Sequence, residues 1–272
     1  MYQILGAAVA IWLVFACIDQ CNGHPDHHAQ RPSGQSVAQV RPAATDTSAE
    51  APPVRAASSV RRANSGDPAA LIAAVSREFN VPAGALYGVW MKESSGLRSG
   101  WGEGQGWILS VEQTASGSEC QQHYGSARCL RLWNALGTIC GQRRADGSAV
   151  CDPRQVRASY ALAMGPMQLL PTLLVVEKDG GYAWGDHAVD YDGDGVVDPH
   201  DLGDAMASAA KLIRRFYETE RDWPRAINRY YGSQTEGYFE GTTEVLGVVD
   251  HWRRWCEMPG NCRAEAAALA SR

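Results

Sequence analysis

Apolar positions recur at helical spacing in several stretches of this chain. Asp67-Pro68 pairs a capping acid with proline at the first helical position. After it, Leu71, Ile72, Val75 and Phe79 fall on one helical face. A second helix is predicted from near Pro82, with Leu86, Val89 and Trp90 aligned and a stop around Ser95-Gly96. A third runs from Asp201 or Leu202 to Glu220, with Met206, Ala209, Ile213 and Phe216 on one side. Pro224 to Tyr231 reads as a short fourth helix. Glu244 to Trp255 reads as a fifth, with Val245, Val249 and Trp252 in line. Strand alternation is scarce. The pattern predicts a mainly α domain over residues 67–263, followed by a frayed tail, 264–272.

Upstream of residue 67 the pattern changes twice. Ile4–Ile18 is apolar throughout but shorter than the ~20 residues a membrane-crossing helix needs. Its length suits the apolar part of a secretory signal, although Met1-Tyr2-Gln3 brings no Lys or Arg. Val14-Phe15-Ala16-Cys17 resembles a bacterial lipoprotein box. Residues 1–21 are therefore read as a signal peptide or lipoprotein signal. Lipidation of Cys17, plain cleavage after Ala16 and an uncleaved anchor all remain open. The expected location is the bacterial cell envelope, in the periplasm, with membrane anchoring if Cys17 carries lipid. Residues 22–66 contain no Leu, Ile, Met, Phe, Tyr or Trp. Such a segment cannot bury enough apolar surface to offset its ordering entropy, so it is read as a disordered Ala/Ser/Pro/Gln-rich tether. His24, His27 and His28 within it are read as incidental.

Composition narrows the function. The chain has 272 residues, a formal net charge of −5 and 45% hydrophobic residues. That supports a real core and excludes a strongly basic nucleic-acid binder. Of its eight cysteines, Cys120, Cys129, Cys140, Cys151, Cys256 and Cys262 lie in the globular part without any C-x-x-C pair, against a zinc ribbon. In an exported chain they argue for disulfides. Sequence leaves their connectivity open. Local pairing is the neatest reading: Cys120–Cys129, Cys140–Cys151 around the turn signal Ala145-Asp146-Gly147-Ser148, and Cys256–Cys262. Residues 100–157 are read as a Cys-containing, irregular insertion. It holds Trp101, Trp107 and Trp133, of which Trp101 and Trp107 fit either packing or stacking on a flat ligand face.

One carboxylate is out of place. Glu93 follows Val89 by four residues and Trp90 by three, which puts it on the apolar face of the second helix. Desolvation there raises a carboxyl pKa, as a general acid working near neutral pH requires. Farther on come Ala163-Met164-Gly165-Pro166-Met167-Gln168-Leu169-Leu170-Pro171-Thr172 and Ala226-Ile227-Asn228-Arg229-Tyr230-Tyr231-Gly232. With Glu93-Ser94 before them, these motifs resemble the lytic murein transglycosylases, closest to the membrane-bound lytic transglycosylase B branch, over about residues 70 to 255.

The resemblance implies a lysozyme-like (SLT/transglycosylase) domain with Glu93 as catalytic acid and Ser94 holding its carboxyl. It implies a saccharide groove that includes Met167, Gln168 and Tyr230, with Tyr160, Tyr231 and Tyr238 as further tyrosines suited to sugar faces. Tyr231 stands where the family carries asparagine. The implied reaction cleaves the bond between N-acetylmuramic acid and N-acetylglucosamine without water, leaving 1,6-anhydromuramic ends. The implied partners are peptidoglycan glycan strands, with a cell-wall or secretion apparatus as a further expectation and no nucleic acid. A hydrolytic muramidase and a non-catalytic murein-binding module are the alternatives. No organic cofactor is expected.

Asp190 to Asp201 fits an EF-hand-type calcium loop by position. Asp190, Asp192 and Asp194 are side-chain ligands, Gly195 is the turn glycine, Val196 offers its carbonyl, and Asp198 and Asp201 complete the set. Asp stands at the last position where Glu is usual. The expected cofactor is a structural Ca²⁺.

Overall fold

The computed structural model describes residues 67–96, 107–108, 120, 125–153, 156–158, 162–232, 237–242 and 246–261, with backbone alone at 107–108 and 157–158. The export segment, Cys17, the tether, the tail, Trp101, Tyr160 and Cys262 lie outside the described residues, and the Cys256–Cys262 pairing with them.

The described chain is mainly α. In order it forms α1 (Pro68–Phe79), α2 (Ala83–Ser94), β1 (Trp107–Ile108), α3 (Ser126–Cys140), β2 (Arg157–Ala158), α4 (Pro171–Leu174), β3 (Val175–Lys178), β4 (Gly181–Trp184), α5 (Leu202–Glu220), α6 (Trp223–Tyr230), α7 (Gly237–Glu240) and α8 (Val248–Glu257). β1 pairs with β2 and β3 with β4, both antiparallel. Among the described residues no helix is long and apolar enough to cross a membrane.

Local chemistry sets these boundaries. The Asp67 side chain accepts from Ala69 N at 2.9 Å and caps α1. Asp201 caps α5 by accepting from the amides of Gly203 and Asp204. α8 begins at Val248, later than the predicted Glu244, because Gly247 is its N-cap: Gly247 N donates to Asp250 at 3.0 Å. A Cβ on Gly247 would lie 2.3 Å from the Phe239 carbonyl oxygen, so only glycine fits that entry.

The segment 100–157 departs from the irregular insertion expected of it. Its helix α3 is 15 residues long and buries Cys129, Leu132, Ala135, Leu136, Ile139 and Cys140 in the common core. The disulfides Cys120–Cys129 and Cys140–Cys151 form as expected, each anchored on this helix. Trp133 packs partly buried against the core.

Two glycines bring α2 against α8. A Cβ on Gly84 would meet the Trp252 ring at 1.9 Å, and one on Gly88 would meet the Val248 carbonyl oxygen at 2.6 Å. Small residues one turn apart thus let the two backbones approach, and the C-terminal end of α2 is fixed with them. Ile72, Val75, Leu86, Val89, Met206, Ile213 and Trp252 join one core beneath this contact.

Candidate active site

Glu93 sits in the last turn of α2, which ends where Ser95 turns left-handed (φ 56°) and its N–H donates to the Met91 carbonyl. Glu93 is partly buried, and desolvation raises its pKa from 4.5 to about 7. Two groups oppose that rise: a hydrogen bond from Tyr238 first, then the charge of Lys92. The Tyr238 hydroxyl donates to Glu93 Oε1 at 2.5 Å. Lys92 Nζ donates to the Leu246 carbonyl at 2.6 Å, tying the end of α2 to the entry of α8. Near neutrality the Glu93 carboxyl is therefore poised between holding and releasing its proton, as an acid that later serves as base requires.

Tyrosines surround this carboxyl. Tyr238, on the short α7, is 5% exposed and stacks on Tyr231, centroids 4.4 Å apart and planes 7° from parallel. The Tyr230 hydroxyl donates to the Met167 carbonyl at 2.5 Å. The Tyr230 pKa is raised by burial and then by the negative charge of Glu93, which puts Tyr230 within electrostatic reach of the acid. Asn228 is buried and accepts from Phe239 N at 2.8 Å, holding α7 on α6. Its side chain thus positions Tyr238, a role the sequence motif did not disclose.

The turn Met164–Leu169 forms the next wall. It closes with mutual hydrogen bonds between the backbones of Met164 and Leu169, both 2.9 Å. Gln168 adopts φ 49° and its Nε2 donates to the Gly165 carbonyl at 2.9 Å.

Two expected groove residues act differently. Met167 was expected to line the groove, but its side chain is fully buried in the core, and its carbonyl is what meets Tyr230. Ser94 was expected to hold the Glu93 carboxyl, but its Oγ donates back to the Trp90 carbonyl at 3.1 Å. A helical serine three or four residues past a carbonyl commonly makes this bond. Tyr238 supplies the hold on Glu93 instead.

The acidic loop is tightly turned on its own carboxylates. Asp190 accepts from the amides of Gly193, Asp194 and Gly195. Asp192 accepts from Asp194 N, and Asp194 from Val196 N. The side chain of Val196 is buried.

Asp198 and Asp201 also make bonds within the protein. Asp198 Oδ2 pairs with Arg144 at 2.8 Å, and Asp201 caps α5. Asp204, in the first turn of α5, accepts from the amides of Tyr191 at 2.6 Å and Asp198 at 2.8 Å. It offers a carboxylate oxygen together with Asp190 and Asp192, all within 4.8 Å of one another. Burial, and after it the neighbouring acids, raise Asp192 to about 6 and Asp204 well above the usual carboxylate range. Gathered hard oxygens whose charges resist one another fit a divalent cation such as Ca²⁺.

The family model described as the transglycosylase SLT domain matches residues 143–256, a span that takes in the acidic loop, the Gln168 turn and the tyrosines, while Glu93 precedes it. No curated protein matches the chain. Among solved structures, a catenated lytic transglycosylase SltB1 from Pseudomonas aeruginosa is 22% identical with a TM-score of 0.38, over 54% of this chain and 42% of that one. Escherichia coli lytic transglycosylase Slt35, in complex with calcium, is 21% identical with a TM-score of 0.39, over 54% and 40%. Pseudomonas aeruginosa SltB3, in complex with NAG-anhNAM-pentapeptide, is 22% identical with a TM-score of 0.36, over 54% and 33%. The chain thus spans less than half the length of each. What is shown is therefore a likeness: residues 143–256 of this mainly α protein are similar to the transglycosylase SLT domain.

Proposed function

We propose that this protein is a lytic transglycosylase acting on peptidoglycan glycan strands. The observation that carries the reading is a partly buried carboxyl, Glu93, whose pKa desolvation raises to about 7 and which accepts a hydrogen bond from the Tyr238 hydroxyl. Protonated Glu93 gives its proton to the oxygen between N-acetylmuramic acid and N-acetylglucosamine. The C1–O bond breaks with its electron pair on that oxygen. The muramic 2-acetamido oxygen stabilises the cation developing at C1. Glu93, now a carboxylate, takes the proton of the muramic 6-hydroxyl, whose oxygen bonds to C1. The product is a 1,6-anhydro ring, with no water consumed and Glu93 again protonated. One residue thus serves first as acid and then as base, in place of the two carboxylates of most glycosidases.

On the same reading, Asp190, Asp192 and Asp204 hold a structural Ca²⁺, supported by their convergence. The ion neutralises the cluster and clamps the loop before α5. The apolar N-terminal segment supports an envelope location, with lipid on Cys17 as the anchor. A cell-wall or secretion apparatus is the further partner expected there.

The test is release of soluble fragments from purified peptidoglycan. Glu93→Gln should reduce the rate at least about a hundredfold, the scale of a lost general acid. An unimpaired Glu93→Gln variant would remove Glu93 from the reaction.

A further inference from the structure

The acidic loop is held between two other parts of the fold. On one side lies the hairpin closed by Cys140–Cys151. Gln142 in that hairpin grips the loop backbone with both ends of its amide: Val197 N donates to Oε1 and Nε2 donates to the Val197 carbonyl, each at 2.8 Å. The same Nε2 reaches the Ile139 carbonyl of α3 at 2.9 Å, and the Gln142 carbonyl accepts from Val150 N at 3.1 Å. Arg144 adds its pair with Asp198. The hairpin is therefore anchored to α3 by a disulfide and to the loop by three side-chain bonds.

On the other side lies the turn that carries Gln168. Gly165 has φ +69°, and a Cβ there would sit 1.7 Å from the Pro199 carbonyl oxygen and 2.7 Å from its carbon. The loop backbone occupies the space of a side chain on the turn. The turn's Met164 and Met167 are fully buried, so it cannot retreat without repacking the core. Its Met167 carbonyl accepts from Tyr230, next to the acid.

We propose that Gln142 is a positioning residue for the Gln168 turn. It acts through the acidic loop, and a divalent cation bound in that loop holds the turn in place. The cation part rests on the calcium reading above; the Gln142 part does not. The physical warrant is contact without slack. Loosening the loop withdraws Pro199 and opens space beside Gly165, and the turn relaxes into it. Neither the hairpin nor the loop touches the scissile bond on this account. The effect therefore falls on glycan binding at the turn, not on the proton transfer by Glu93.

The test is hydrogen exchange of the whole protein with calcium or chelator, for wild type and Gln142→Ala. The amides of Met164, Gln168 and Leu169, bonded within the turn, are the probes, with α1 as reference. Calcium should slow exchange in the loop and in the turn together. Slowing in the loop alone overturns the proposal. If calcium slows neither, the calcium reading has failed and Gln142→Ala decides. Faster exchange in both loop and turn sustains the positioning role; an unchanged turn overturns it.

Kinetics give the readout that a general loss of fold would not. Gln142→Ala should raise KM for a soluble glycan oligomer about three- to tenfold, the scale of one or two lost hydrogen bonds. The kcat and the alkaline limb set by Glu93 should stay in place. A fall in kcat with KM unchanged would contradict it.

Discussion

Tyr238→Phe tests the electrostatic design of the site with the smallest change available. The substitution keeps the ring that stacks on Tyr231 and removes only the hydroxyl that donates to Glu93 Oε1. That hydrogen bond is the larger of the two influences opposing burial at Glu93. A hydrogen bond to a charged group is worth about 1.5–3 kcal/mol, and 1.36 kcal/mol corresponds to one pH unit. Its loss should raise the Glu93 pKa from about 7 by about 1 to 2 pH units. Glu93 must carry its proton to act as acid, so activity falls as pH rises through this pKa. The alkaline limb of kcat/KM should therefore move upward by that amount, while the maximal rate falls because the carboxyl loses its aim. The assay is the pH dependence of kcat/KM on a soluble glycan oligomer for both proteins. An alkaline limb that stays near its wild-type position, or moves down, would refute the reasoning.

Further outcomes follow from the same geometry. The folded pKa of Glu93 lies above its ordinary 4.5, so the native state keeps a proton that the unfolded chain releases. Stability falls as pH rises from about 4.5 through about 7, by about 1–3 kcal/mol in total. Glu93→Gln should remove that loss, so its melting temperature should exceed that of wild type by more at pH 8 than at pH 5. Calcium at about a hundred times its Kd should stabilise the protein by about 2.7 kcal/mol; chelation, or Asp204→Asn, should abolish the rise in calorimetry. Gly88→Ala puts a Cβ 2.6 Å from the Val248 carbonyl oxygen. Overpacking of about 1–3 kcal/mol should outweigh the better helix propensity, and the denaturation midpoint should fall.

The sequence disclosed those parts of the fold whose signals are local. α1, α2 and α5 carry apolar residues at helical spacing, α1 and α5 behind capping acids and α2 behind Pro82, and they form within a residue or two of the predicted limits. α3 has the same periodicity in Cys129, Leu132, Leu136 and Ile139, but its cysteines read as staples of an irregular segment. In the structure they are core positions of a helix. The β3–β4 hairpin is half-exposed and short, so it carries little alternation to read.

At the site, the placement of Glu93 on an apolar face followed from one helix and was legible. Its partner Tyr238 is 145 residues away, and no local pattern encodes that meeting. Asp204 was missed because it lies beyond the loop, inside the first turn of α5. The signal available was an acid among Leu202, Gly203, Ala205 and Met206 on a buried helical start. Ser94 was assigned by resemblance, while its local chemistry favoured the carbonyl one turn back.

The central claim is that one carboxyl makes an anhydro ring without water. It is tested most directly by mass spectrometry of the soluble products from purified peptidoglycan, with calcium present, for the full chain and its Glu93→Gln variant. The account predicts 1,6-anhydromuramic ends from wild type and no product from the variant. Reducing muramic ends would contradict it, because water would then have taken the place of the 6-hydroxyl.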